Sequence, residues 1–475
     1  MSRSTVVRGL HLGLAGGLAS GLAFAVVVTP AAAAAPTPAP TSCRGEAATL
    51  ILIPDDGTLA GPVPPGATVL RRSDSPSPIA QGTPGRDVVV MADSSLGVDT
   101  GAGDDLVCVV GSGSPASMWT RDGSDAVDTT QRFPSSTNMG GRYDVEADLG
   151  AGDDLFFGGP ARDQVFTRAG TDQVSTGAGN DRVRVGAPTS AAAVDLGGGD
   201  DVFVLDGQDS GGVSGGTGSN TFEVVTPEGR PAIDIDASLG RADVAGLATF
   251  FHDFVAYAVT ISQFDLTPSD VWRPWSRLTF RGSDADETLS LYPSSGFPQD
   301  TPVPTDYGPV DVDLGGGDDA LTTNAAVHGR LVGGSGTNSL SVDSHWGGSR
   351  RSALQLDLAK GQLRYVGSGN PRSRVKGFTD LKAGANHVDL RGSRRSETIA
   401  LSDINTAHVS GGGGNDRVDA GHSYPRDGVV LRGGSGNDLL VGSPGHDILI
   451  GGPGRDKAKG GPRRDTCEAE VRIRC

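Results

Sequence analysis

The chain has 475 residues, of which 57 are acidic, 40 are lysine or arginine and 73 are glycine, for a formal net charge of −17. Acidity on this scale excludes the electrostatic footprint of a nucleic-acid-binding protein and favours cations as partners. Apolar residues almost nowhere recur at helical spacing, which excludes a helical bundle, and past the N-terminus no stretch approaches a membrane span.

Arg3 and Arg8 precede an apolar stretch from Leu10 to Val28 and an alanine-rich exit at Ala31–Ala35. A charged start, an apolar middle and small residues at the exit predict a secretory signal peptide over residues 1–35. The mature chain is therefore expected to be exported, where calcium is plentiful and thiols oxidise. Residues 36–80 read as a Pro/Thr linker and an N-terminal cap region. Four cysteines allow three pairings. Cys43–Cys108 and Cys467–Cys475 are favoured, because each would protect one end of a stacked structure.

Residues 81–187 form a first repeat block. Gly82–Val90 (GTPGRDVVV) and Thr100–Cys108 (TGAGDDLVC) place Asp87 and Asp105 eighteen residues apart. From Leu149 to Arg184, four nonapeptides follow without a gap, beginning with LGAGDDLFF, and carry Asp154, Asp163, Asp172 and Asp181 at nine-residue intervals. Residues 188–430 read as a duplicated module with degenerate repeats. VDLGGGDD at Val194–Asp201 recurs at Val312–Asp319 and, more faintly, at Val409–Asp416. FRGSDADETLSL matches LRGSRRSETIALS, and IDIDASLGRA matches LQLDLAKGQL. Asp201, Asp319 and Asp416 have no nine-residue neighbour, so they read equally as single metal sites or as Asp-rich turns. Asn220 and Asn338 replace the acid with a neutral oxygen and predict weak sites or plain turns. Residues 431–475 close the chain with GGSGNDLLV, GSPGHDILI, GGPGRDKAK and GGPRRDTCE, whose aspartates are Asp438, Asp447, Asp456 and Asp465.

Each part of this nonapeptide has a physical task. Glycine permits the positive φ of a sharp turn. The turn leaves carbonyls pointing inward, and aspartate adds a hard anionic oxygen of the kind calcium takes in sets of about six to eight. The apolar tail reads as a short strand. Two units make one coil, so residues eighteen apart stack at roughly 4.8 Å, with Asp438 beneath Asp456 and Asp447 beneath Asp465. Carboxylates stacked this closely repel unless a cation lies between them.

These units closely resemble the hemolysin-type (RTX) calcium-binding repeat, GGxGxDxUx with U a large apolar residue. The resemblance implies a parallel β-helix or β-roll whose turn carbonyls and sixth-place aspartates hold Ca2+. The expected fold is an all-β, elongated parallel β-solenoid. The sequence departs from the repeat at Lys457-Ala458-Lys459, a poor strand tail, and at Arg463, which stands in place of the fourth glycine.

Enzyme signals are weak. Asp209-Ser210-Gly211-Gly212 resembles the nucleophile segment of trypsin-like proteases, but Gln208 replaces the expected glycine. Gly212-Val213-Ser214-Gly215-Gly216 fits G-x-S-x-G, but it is embedded in repeat turns rather than in a strand–turn–helix. No H-E-x-x-H occurs, and the histidines are scattered. Phe250, Phe251, Phe254, Tyr257, Phe264, Trp272 and Trp275 concentrate aromatic rings in one region, which reads first as a cover on the core and second as a sugar-stacking face. The leading functional expectation is a non-enzymatic, secreted calcium-binding protein for surface or matrix interaction. The alternative is a protein that binds or modifies cell-wall or other extracellular polysaccharide on the same scaffold.

Overall fold

The structure, a computed structural model, describes residues 38–92, 96–135, 142–186, 191–206, 211–226, 231–261, 275–291, 308–324, 327–343, 353–366, 372–423 and 428–475. The chain divides into Met1–Pro36 and Thr37–Cys475, and the described residues all belong to the second unit. The expected signal peptide lies outside them, as do Asp209, Ser210, Phe264 and Trp272.

Short strands joined by glycine turns alternate between two long parallel sheets, and each strand pairs with the strand one coil away. Leu439–Val441, Ile448–Ile450 and Lys457–Lys459 show the unit at its simplest. Only the middle side chain enters the core, and Leu440, Leu449 and Ala458 are fully buried. That corrects the expectation for Lys457-Ala458-Lys459. Alternation along a strand turns both lysines outward, so one alanine suffices for the core.

Stacking then builds unbroken apolar columns. In the second sheet, Val165, Val183, Phe203, Phe222, Tyr257, Leu289, Leu321 and Leu340 follow one another in register. In the first, Val107, Val127, Phe156, Val174, Val194, Val213 and Phe251 do the same. Each fully buried side chain contributes about 1.5–3 kcal/mol. Because each coil touches only its neighbours, that stabilisation accumulates coil by coil.

A coil is eighteen residues where both turns are nonapeptides, as in Leu439↔Lys457. It lengthens to 20 at Leu106↔Ala126 and to 29 at Ala126↔Leu155. Twice the first sheet leaves the parallel pattern. Ala232–Asp236, Arg241–Val244 and Leu247–His252 form an antiparallel excursion, and Ala353–Asp357, Gln362–Val366 and Arg372–Lys376 form its counterpart. These are the matching IDIDASLGRA and LQLDLAKGQL segments.

Both ends are covered. Ala39, Cys43 and Ala48 pack with Ile51, Val90 and Leu106 in a small second core outside the first sheet, and Cys43 is bonded to Cys108. At the other end Cys467 occupies the inward position of its strand and is bonded to Cys475. Both bonds match the favoured pairing.

Candidate metal centre

Every sixth-place residue stands at the mouth of a strand, and the two turns of each coil put these residues on opposite edges. One edge carries Asp87, Asp105, Asp125, Asp154 and Asp172, and near the C-terminus Asp447 and Asp465. The other carries Asp163, Asp181, Asp201, Asn220, Glu287, Asp319, Asn338, Glu397, Asp416, Asp438 and Asp456. All are at most 9 % exposed.

On each edge the backbone N–H of one acid donates to the Oδ1 of the acid one coil later. The bonds run Asp87→Asp105 (2.8 Å), Asp105→Asp125 (2.8 Å), Asp125→Asp154 (2.8 Å) and Asp154→Asp172 (3.1 Å). Opposite, Asp163→Asp181 and Asp181→Asp201 each measure 2.8 Å. In the tail Asp438 donates to Asp456 and Asp447 to Asp465, both at 2.9 Å, as the eighteen-residue stacking requires. Asp201, Asp319 and Asp416 prove to be ladder members rather than isolated turns. Their neighbours lie one coil away, not nine residues away, as in Glu397→Asp416→Asp438.

Asn220 and Asn338 end their runs. Asn220 accepts from Asp201, and its amide donates to the Gly215 and Asp253 carbonyls. Asn338 accepts from Asp319 and donates to Gly377. Each stands where the chain leaves for an antiparallel excursion, so the next coil offers a carbonyl in place of a repeat turn. A carboxylate has no donor for that carbonyl; an amide does.

The second oxygen separates two kinds of turn. In Asp105, Asp125, Asp154, Asp181, Asp201, Asp319, Asp416, Asp438, Asp456 and Asp465, Oδ2 is buried and receives no hydrogen bond among the described residues; in Asp163 the orphan is Oδ1. Most of these turns have positive φ at the second and fourth places, as at Gly434 (118°) and Gly436 (133°). A Cβ on Gly436 would collide with the Gly414 carbonyl, and one on Gly433 would collide with Asp438 Oδ2. Hence the carboxylate folds over a residue that must be glycine, between carbonyls aimed along the stack.

Turns with Ser or Thr at the second place bond the acid from within the turn, and Asp87 and Asp447 are filled this way. Ser443 donates to Asp447 through its N–H (2.7 Å) and its hydroxyl (2.8 Å), and Val429 N–H adds a third bond (2.9 Å). Thr83 N–H and hydroxyl serve Asp87 likewise. Ser393 serves both oxygens of Glu397, whereas Ser283 bonds only Oε1 of Glu287 and leaves its buried Oε2 without a hydrogen bond among the described residues.

Burial raises the proton affinity of the open carboxylates. Desolvation, partly offset by the ladder bonds, pushes Asp154, Asp181 and Asp416 up to about 7 and Asp125, Asp201 and Asp319 up to about 6. Asp163 rises to about 9. Neighbouring carboxylates add to the rise at Asp154 and Asp416. Such a set of buried oxygens favours a hard cation between the coils. No three His, Cys, Asp or Glu side chains converge on one point among the described residues. Any ion held here must therefore draw on turn carbonyls as well as on the ladder acids.

Sequence reasoning missed several of these residues. Asp125 continues the first ladder at twenty- and twenty-nine-residue spacing, and its only signal is Gly123 two places before it. Glu287 and Glu397 hold the sixth place in the G-S-x-x-x-E segments. A second, exposed ladder at the fifth place also escaped notice. Ser124 N–H donates to Asp104 (2.9 Å), Asn437 to Asn415 (2.8 Å) and Arg455 to Asn437 (2.9 Å). These bonds run from the later coil to the earlier, opposite to the buried ladder, and together the two resist slippage in either direction.

The aromatic region is mostly core. Phe222 lies 4.6 Å from Phe251 and 5.5 Å from Phe254, and Tyr257 lies 5.1 Å from Phe280. Trp275 is buried and donates to the Gly308 carbonyl. Of the described rings in this group Phe250 alone faces out, at 59 % exposure. Gly212–Ser214, the apparent hydrolase segment, is a strand of the first sheet with Val213 in the core.

Four copies of the RTX calcium-binding nonapeptide repeat match the chain, over residues 148–183, 408–421 and 430–461. No curated protein matches the sequence. Among solved structures, the crystal structure of a hyperactive, Ca2+-dependent, β-helical antifreeze protein from an Antarctic bacterium is 14% identical, with 83% of this chain and 85% of that one covered and a TM-score of 0.16.

Proposed function

We propose that this calcium-binding β-solenoid, which carries RTX nonapeptide repeats, is an exported, non-enzymatic scaffold that calcium orders for surface or matrix interaction. One observation carries the reading: stacked glycine turns bury carboxylate oxygens that no hydrogen bond satisfies among the described residues. Asp438 with Asp456, Asp416 with Asp438, Asp181 with Asp201, and Asp105, Asp125 and Asp154 in succession would hold the ion, with turn carbonyls completing the shell. Asp163, Asp172 and Asp319 extend these runs, and Asp465 stands at the last turn. Asp87 and Asp447, whose carboxylates are filled by a hydroxyl and amides of their own turns, serve the fold.

Export is supported by the N-terminal sequence pattern and by two disulfides, which persist where thiols oxidise. Among the described residues no helix is long and apolar enough to cross a membrane.

Metal binding and folding are coupled in such a scaffold. In chelator the protein should lose the strand circular dichroism of its repeat blocks and regain it on titration with calcium, in about the millimolar range typical of extracellular modules. Unchanged spectra together with no calorimetric heat of binding would overturn the reading.

A further inference from the structure

The two antiparallel excursions hold equivalent places in the first sheet, yet their outward residues differ in charge. In the second excursion Arg364 and Arg372 are cross-strand partners, and Arg374 lies beside Arg330 on the adjoining parallel strand. Lys376 continues that strand, and Arg391 stands in register with Asp357 one strand beyond the excursion. Arg372, Arg374, Lys376 and Arg391 are exposed, and Arg364 is half-buried. These five cations share one face of a chain whose net charge is −17.

Arg364, Arg372, Arg374 and Lys376 face no acid across the strands, and Arg391 faces Asp357, which Lys360 holds at 3.3 Å. Arg330, at the margin, is held by Asp311 at 2.8 Å and Asp313 at 2.7 Å. The five others form no ion pair among the described residues, and the buried Nε of Arg364 has no acceptor. Like charges directly opposite each other on a sheet cost stability, so the fold gains nothing here until an anion covers the face. The corresponding outward positions of the first excursion are Asp243, Ala248, Phe250, His252 and Arg281, a mixed set.

We propose that this face binds a linear polysaccharide carrying carboxylates, a uronate chain laid across the strands. Neighbouring strands are about 4.8 Å apart, close to the advance of one sugar along such a chain, so Arg372 and Arg364 on adjoining strands can meet successive residues, with Arg374 and Lys376 alongside and Arg391 beyond Gln362 and Asp357. Guanidinium groups match carboxylates bidentately. Gln355 and Gln362, between the cations, supply both donors and acceptors for hydroxyls. Single-stranded nucleic acid fits less well, because base stacking needs an outward ring and Tyr365 packs against the core. The inference rests on the surface-interaction part of the proposed function and is independent of calcium.

The test is titration of the full-length protein, in calcium-containing buffer, with a short hyaluronan oligosaccharide, a uronate polymer that calcium does not gel. Wild type should bind, and more weakly as salt rises. Arg372→Gln, Arg374→Gln and Lys376→Gln combined should weaken binding about tenfold or more, with circular dichroism and calcium heat unchanged. Arg281→Gln should change nothing. Arg391→Gln alone should give a smaller loss and keeps the test valid if the triple variant fails to fold. No binding by wild type, undiminished binding by both variants, or tighter binding of single-stranded DNA or anionic vesicles would overturn the proposal. If the oligosaccharide binds but no calcium heat appears, only the calcium reading falls; calcium heat without oligosaccharide binding removes only this one.

Discussion

Gly433–Asp438 and Gly442–Asp447 are consecutive turns in one matched repeat block, yet they satisfy the same acid differently. In the first, two glycines with positive φ leave Asp438 Oδ2 buried and unbonded. In the second, Ser443 replaces a glycine and its N–H and hydroxyl fill the Asp447 carboxylate. The second residue's amide makes the difference: Ser443 N–H turns in to Asp447 Oδ2, whereas Gly434 N–H donates to the Gly451 carbonyl and leaves Asp438 Oδ2 open. The lesson is that the sixth aspartate alone does not make a calcium site; the second residue decides whether it is open.

The largest test of this contrast is steric. Gly436→Val would drive a Cβ into the Gly414 carbonyl at a φ of 133°. It should cost upwards of about 4 kcal/mol, seen as loss of the C-terminal block to limited proteolysis. In the closed class Gly85→Ala meets nothing nearer than Thr83 Oγ1 at 4.0 Å, and its melting temperature should barely move.

Next in size is the metal itself. Asp438→Ala with Asp456→Ala should remove about one bound calcium by calorimetry, along with part of the calcium-dependent rise in melting temperature. Asp447→Ala should leave the stoichiometry intact and cost about 1–3 kcal/mol with or without calcium, because three donors lose a buried acceptor. Equal calcium losses in the two variants would erase the distinction between the turns.

Proton binding offers a gentler probe. Asp154, Asp181 and Asp416 have folded values near 7, above the ordinary carboxylate value of 3.8. The folded, calcium-free protein then binds more protons than the unfolded chain between those limits. Its stability is fully present below about pH 4 and declines as pH rises towards 7. Denaturant midpoints in chelator should therefore fall from pH 5 to pH 8, and calcium should restore most of the loss at pH 8. The smallest effect is expected from Ser443→Gly, which removes one hydroxyl. It should lower stability in chelator by about 1 kcal/mol, and calcium should offset more of that loss than it does in wild type.

The excursions repeat the contrast at a larger scale. Ile233, Ile235, Ala242 and Phe251 in the first answer to Leu354, Leu356, Leu363 and Val375 in the second, and all are buried. Their outward faces share little. Packing constrains one side of a strand and leaves the other free to specialise, so likeness between the modules speaks to fold and difference speaks to function.

Much of this was legible in the residues. Nine-residue spacing fixed the coil, the stacking of Asp438 under Asp456 and the parallel solenoid, because glycine turns and alternating strands are local consequences of sequence. Of the three possible cysteine pairings the sequence favoured the one observed, in which each bond closes one end. Other features were hidden. Asp201, Asp319 and Asp416 looked isolated because a ladder connects residues one coil apart, and coil length varies with inserted segments. Lys457-Ala458-Lys459 looked unfit because the count of apolar residues matters less than which one points inward. By itself the sequence determined the repeat, its period and the hard oxygen donors, since these depend on neighbours along the chain. Only the tertiary structure decided which carboxylates remain open, where asparagine ends a ladder and which cations share a face, because those depend on what the next coil presents.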